Sequence, residues 1–370
     1  WNAGHLLGSA SIEVEVHNSD TEPPLRIVFS GDIGPNFKLL HPNPEAPRDL
    51  DYIICEATYG DRDRANTTPD SRRMALRDEV LTAQGPNGVL LIPSFAIERA
   101  QELIADLVQL MEEGALPTLP IYVDSPLATK ASYEFARHAK ELESGKDFAN
   151  RLNSRNVYFT ETVEQSKALD RLQGFHIVIA ASGMCEAGRI RYRLKNWLWR
   201  DEATILLVGF QAQGTLGRIL QDGAAAVRIQ GEEFKVRARV RSLDLYSGHA
   251  DGPELKEWIK KRLPLRQTIF LVHGEKQALT DLQTRLRGLI EQNKIILPEI
   301  DESFELTAQG ARPMLLHTPS RADRTTIAHL DWHNEASRLA LDINDALAGA
   351  PDNKARVVLI QRLREALNGA

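Results

Sequence analysis

Cysteine is almost missing from this chain: Cys55 and Cys185 are the only two in 370 residues. That excludes a disulfide framework and makes a reducing cytoplasm the expected setting, with both thiols as small buried apolar groups. Long apolar runs are also lacking. No stretch reaches the ~18 uninterrupted apolar residues that a spanning helix needs, so no membrane association is expected. Positive charge is not in excess either, the formal net charge being −6. A polycationic coat for nucleic acid is thereby excluded, and any nucleic acid would have to lie in a local basic groove. Internal repeats and low-complexity tracts are absent too, which removes the repeat architectures.

What is present is an ordinary globular composition, 42% hydrophobic and 26% charged, in a chain long enough for two or three domains. Residues 1–60 are strand-rich: SIEVEV alternates apolar and charged positions, while RIVFS and YIICE read as buried strands. From 61 to 233, short apolar runs (VLLIP, IYVD, IVIAA, ILLVG) alternate with helical patterns, so a Rossmann-like parallel sheet with helices on both faces is expected. Strands return over 234–305, with helices at 253–262 and 276–290. Candidate ligands of this last zone must meet those of the first, so the middle unit reads as an insertion into one parent domain. Residues 306–370 read as a linker and a C-terminal helical hairpin. Trp332, Ala336, Leu339, Ile343 and Leu347 form one apolar stripe there, and Ile360, Leu363 and Leu367 the other. Such an appendage suits internal packing or homodimerisation.

His5 (NAGHLLGSA), Asp32 (FSGDIG) and His273 (LVHGE) each stand where a strand meets a glycine-flanked turn. Imidazole and carboxylate are ligands of catalytic zinc, and one aspartate can bridge two ions. Singly, each reads as an ordinary strand-end residue; jointly, they read as a metal site assembled in space. Glu56 ends a buried strand, an expensive place for a carboxylate unless it is paired. It reads as the partner that orients an imidazole, or as a structural acid bonded to a turn. His249, in YSGHAD, reads as a general acid; a further metal ligand and a structural turn histidine are the alternatives. SGMCEAG carries Ser182 and Gly183 and runs into a helix bearing Arg189. It reads as a phosphate cradle, although tight packing explains it nearly as well. Lys235, Arg237, Arg239 and Arg241 alternate with apolar residues, so one strand there would present a cationic face, either solvated or tracking phosphates.

Taken in order, NAGHLLGSA, SGDIG, ICEATYGDR, PSFAIERAQELI, IYVDSPLA, ASGMCEAGRI, GFQAQGTLGRIL, YSGHAD and LVHGE resemble the β-CASP family of metallo-β-lactamase-fold nucleases, in its RNA-processing branch. The resemblance runs from Trp1 to about Leu306. It implies an α/β chain: a metallo-β-lactamase αββα sandwich, N-terminally truncated, with an inserted β-CASP domain. His5, Asp32 and His273 match zinc ligands, with Asp32 bridging two zinc ions. Glu56, His249 and His273 match motifs A, B and C, and a histidine at motif C goes with RNA. The family's HxHxDH signature, source of the remaining zinc ligands, is absent and is expected upstream of Trp1. The implied activity is zinc-dependent hydrolysis of single-stranded RNA, with metal-bound hydroxide as nucleophile and His249, held by Glu56, as general acid. Ser182, Gly183, Arg189, Lys235 and Arg237 are then expected on the RNA backbone. This stretch alone is expected to bind metal poorly and to cleave little. Two other readings are a catalytically silent RNA-binding scaffold and a hydrolase of small esters on the same parent fold.

Overall fold

The computed structural model describes residues 1–17, 23–36, 38, 42–64, 67–139, 145–314, 339, 343 and 346–368. Three strands come first: β1 (Ile12–Val16), β2 (Leu25–Phe29) and β3 (Tyr52–Glu56). Helices and strands then alternate: α1 (Pro69–Ala83), β4 (Val89–Pro93), α2 (Arg99–Glu112), β5 (Ile121–Asp124), α3 (Pro126–Arg137), α4 (Gly145–Leu152) and β6 (Val157–Phe159). The alternation continues through α5 (Val163–Ala168), β7 (His176–Ala180), α6 (Ile190–Trp197), β8 (Ala203–Leu207) and α7 (Leu216–Gln221). Then come β9 (Ala226–Ile229), β10 (Glu232–Lys235), β11 (Arg239–Ser242), α8 (Gly252–Lys260), β12 (Thr268–Val272) and α9 (Lys276–Arg285). The last elements are β13 (Ile295–Ile296), β14 (Ser303–Thr307), β15 (Gly310–Met314) and α10 (Asn353–Asn368).

Two sheets carry the architecture. The first has the order β1-β2-β3-β12-β13, antiparallel between β1 and β2 and parallel from β2 onward. Val28, Ile53, Cys55, Ile269 and Leu271 on one face meet Leu255, Trp258 and Ile259 of α8 and Leu282 of α9. On the other face Tyr52 and Phe270 pack under the β14–β15 hairpin: Phe304 lies 5.1 Å from Phe270, and the Tyr52 hydroxyl donates to the Thr307 carbonyl at 2.5 Å. The wet face of SIEVEV is its apolar one. Ile12 is 60% exposed, while Glu13 turns to Arg26, which donates to it at 2.5 Å.

The second sheet, of order β11-β8-β4-β7-β5-β6, is parallel throughout. Its strands VLLIP, HIVIA and ATILL are buried along their whole length because helices cover both faces. α1, α2 and α3 lie against one apolar cluster, and α6 and α7 against the other. This is the doubly wound unit expected from the alternation of apolar runs and helices. Pro126 stands at the first position of α3, and the Ser125 side chain caps it.

Two expectations need correction. The sheet of the inserted unit does not stop at 233, because β11 extends it to Ser242: Ala238 is buried and Val240 half-buried against the α6–α7 cluster, beside the open edge of β8. Nor is there one cationic strand from Lys235 to Arg241. β10 pairs back on β9, the strand ends at Lys235, and β11 pairs with β8 in a different sheet. The first helix of the expected C-terminal hairpin falls largely outside the described residues, and the second is α10.

Candidate metal centre

Parallel strands bring their carboxyl ends to one edge, and this is how three distant segments meet. β2, β3 and β12 are neighbours, with Phe29 opposite Ile54 and Glu56 opposite Val272. Asp32, Glu56 and His273 therefore leave the sheet side by side. β1 runs against β2, with Ile12 opposite Phe29, so the chain just before β1 returns to the same edge and delivers His5. The carboxyl edge of the second sheet faces this one, and the segment after β11 crosses over with His249.

The four expected imidazole and carboxylate groups converge with Glu56 beneath them. Asp32 Oδ1 accepts from His273 Nδ1 at 3.1 Å, and Asp32 Oδ2 lies 3.8 Å from His5 Nε2. His5 Nδ1 is 2.7 Å from the carbonyl of Gly248, so it is the protonated nitrogen, and Nε2 is left as a donor atom pointing at Asp32. Gly248 is required there, since a Cβ would stand 2.7 Å from the His5 ring. The rings of His5 and His249 are 4.5 Å apart, and those of His249 and His273 5.9 Å.

Glu56 is buried, and its charge is met on all sides. Oε1 accepts from the Ile33 amide at 2.5 Å, Oε2 from the Thr58 amide at 3.2 Å, and His249 Nδ1 stands 3.1 and 3.0 Å from the two oxygens. With its Nδ1 proton committed to a carboxylate, His249 presents Nε2 outward. Tyr59 supports the same ring edge-on at 6.2 Å, its hydroxyl donating to Asp244 at 2.6 Å. The Arg64 guanidinium donates to the His249 carbonyl.

The electrostatics arise from the packing. Burial, helped by the neighbouring His249, lowers the His5 pKa from 6.5 to about 4, so its imidazole is neutral at physiological pH. The hydrogen bond from His273 holds the Asp32 carboxyl below its usual range, and the same bond raises His273. At His5, a neutral imidazole beside the ionised Asp32 is a donor set that suits a metal such as zinc. His5, Asp32 and His249 form one group of clustered ligand atoms, and Asp32, Glu56 and His273 another. Asp32 belongs to both, with one oxygen toward each of two histidines. Asp32 is thus the residue common to both groups, and the imidazole and carboxylate atoms gathered here fit a metal ion.

His5, Asp32, His249 and His273 line a cavity of about 420 Å³ together with Lys38, Phe95, Ile97, Arg99 and Leu127. Lys38, Phe95, Glu98 and Arg99 were not singled out from the sequence, although three of them lie inside PSFAIERAQELI. The buried Glu98 carboxylate accepts from the Leu7 amide at 2.8 Å and pairs with the Lys38 ammonium, which also donates to the His5 carbonyl at 2.8 Å. A residue of the inserted unit thus holds the His5 loop.

The expected phosphate contacts are placed otherwise. Ser182 donates its amide to the Ala187 carbonyl at 2.9 Å and accepts at Oγ from the Ala187 amide, while the Ile190 amide bonds the Ala181 carbonyl. The loop closes on itself and forms no open cradle, and Gly183 gives room to Phe95. Arg189 donates to buried Asp124 at 3.0 Å and to the Thr160 carbonyl at 3.1 Å, so its charge is spent on structure. Lys235 and Arg237 are exposed, but they precede β11 and so lie at the amino edge of the second sheet, opposite the histidines.

Comparison with known proteins identifies the family of the chain. Residues 100–220 match the model of the Beta-Casp domain, and residues 233–298 that of the Zn-dependent metallo-hydrolase RNA specificity domain. The chain belongs to the β-CASP family of metallo-β-lactamase-fold proteins. A Thermus thermophilus protein named Ribonuclease TTHA0252 is 36% identical over 286 residues, which is 76% of this chain and 63% of that protein. An RNase J-like protein of Methanocaldococcus jannaschii is 30% identical over 75% of this chain and 63% of its own length. The transcription termination factor FttA of Methanosarcina mazei is 27% identical over 76% of this chain and 45% of its own length. The chain thus spans less than two thirds of these curated relatives. Among the described residues, no helix is long and apolar enough to cross a membrane.

Proposed function

We propose that the full-length protein hydrolyses phosphodiester bonds of single-stranded RNA in the cytoplasm. The observation that carries this reading is Asp32, with one oxygen toward His273 and the other near His5, in the cavity that His249, held from behind by Glu56, also lines. The names of the relatives point to RNA, as does the description of the domain matched at 233–298.

In this reading His5, Asp32 and His273 would contribute part of the ligand set for two zinc ions, which when bound would supply Lewis acidity and acidify a water. Water adds across the P–O3′ bond. His249 Nε2, with Nδ1 anchored on Glu56, delivers a proton to the departing 3′ oxygen, leaving a 5′-phosphate and a 3′-hydroxyl. Glu56 stabilises the protonated ring and fixes its tautomer, which keeps the acid aimed at the leaving group.

The test compares end-labelled single-stranded RNA with DNA of the same sequence, on the full-length protein. Cleavage of RNA that stops on chelation and returns with zinc is expected. Equal cleavage of both, or RNA binding without cleavage, would overturn it.

A further inference from the structure

We infer that Phe95 is a nucleobase platform beside the scissile phosphate, an inference that rests on the RNA reading above. Phe95 follows β4 at the carboxyl edge of the second sheet and lines the cavity that holds His249 and His273. Its ring is 40% exposed, although it sits in the wall of a cleft and not on a convex surface. The ring is nevertheless immobilised. The Arg99 guanidinium lies 4.8 Å from its centroid, and Arg99 is itself fixed by donating to the Tyr246 carbonyl at 2.7 Å. Along the ring edge, Cδ2 and Cε2 pack so close to Gly183 that a Cβ there would stand 2.7 Å away. The glycine expected in a phosphate cradle therefore makes space for this aromatic.

A held aromatic face, open to the cavity, is the surface on which a base of single-stranded nucleic acid stacks. The Arg99 guanidinium stacked on the ring holds it by a cation–π contact. Ile97 and Leu127, 42% and 56% exposed, continue the apolar wall beside it. A paired duplex cannot offer a free base face, so the platform selects unpaired strands. Small esters gain nothing from it.

The experiment uses the metal-loaded full-length protein and a short RNA cut at one principal position. Matched RNAs carry an abasic ribose on one side of that bond or on the other. Phe95→Ala is expected to lower kcat/KM on the normal RNA by about 10- to 100-fold, mostly through KM. Phe95→Tyr should restore it to within a few-fold, and Phe95→Leu should not. On one of the two abasic RNAs, wild type should lose the same factor and Phe95→Ala nothing further. Equal losses for Phe95→Ala on all three RNAs, or full activity of Phe95→Leu, would overturn the platform. A wild-type protein that cleaves no RNA would instead overturn the proposed function.

Discussion

His249 Nδ1 lies 3.0 Å from Oε2 of Glu56, a buried carboxylate that also accepts the amides of Ile33 and Thr58. The ring is thus oriented from behind by an acid that backbone donors hold in place. His249→Ala should therefore lower RNA turnover by about 10²–10⁴-fold and leave metal content unchanged. Glu56→Gln should lower turnover too, since a neutral amide stabilises the protonated ring less. Single-turnover rates with elemental analysis of both variants check this, and loss of metal from His249→Ala would make it a ligand instead.

Arg189 gives a contrasting case. Its guanidinium serves Asp124, Thr160 and Glu161, and Asp124 also takes Arg193 at 3.3 Å. Arg189→Ala should cost about 1.5–3 kcal/mol of stability, the worth of a charged hydrogen bond. The slope of RNA affinity against salt should stay unchanged. Chemical denaturation and binding titrations at several salt concentrations measure the two effects separately.

The Glu98–Lys38 pair ties the inserted unit to the His5 loop, and both side chains are buried. Removing one partner strands the other charge, so Lys38→Met or Glu98→Ala should destabilise by about 3–5 kcal/mol. The combination Lys38→Met with Glu98→Ala should cost less than the sum of its parts. A double-mutant cycle by denaturation gives the coupling.

The buried His5 gives the metal-stripped protein a pH signature. Its folded pKa, about 4, lies below the ordinary 6.5, so between these values the unfolded chain binds more protons and stability falls as pH falls. Between pH 7 and pH 4.5 this amounts to about 2–3 kcal/mol. His273 works in the opposite sense, because its raised pKa favours the folded state in acid, but its side chain is 59% exposed and solvent screens it. His5→Gln should flatten the acid loss, as read by urea unfolding at the two pH values.

Much of this was legible in the sequence, for a physical reason. Buried parallel strands are continuous apolar runs, and a polar residue just past the end of such a run must sit at the carboxyl edge of the sheet. Asp32, Glu56 and His273 could be placed from that rule. The strand order that makes them neighbours was not legible, because it depends on pairing over more than 200 residues of sequence. Charges misled where their partners were remote. Arg189 looks like a phosphate ligand until Asp124, 65 residues away, is seen to hold it. Lys38 carried no local signal at all, since its role comes from Glu98 in another unit. Phe95 was hidden among apolar neighbours because exposure, not residue type, distinguishes it.

The most direct test is zinc content by elemental analysis of the full-length protein carrying Asp32→Ala. Near-complete loss of metal, with the fold retained by circular dichroism, is the expected result. Metal retained at the wild-type level would contradict the assignment of this carboxylate as the bridge on which the site is built.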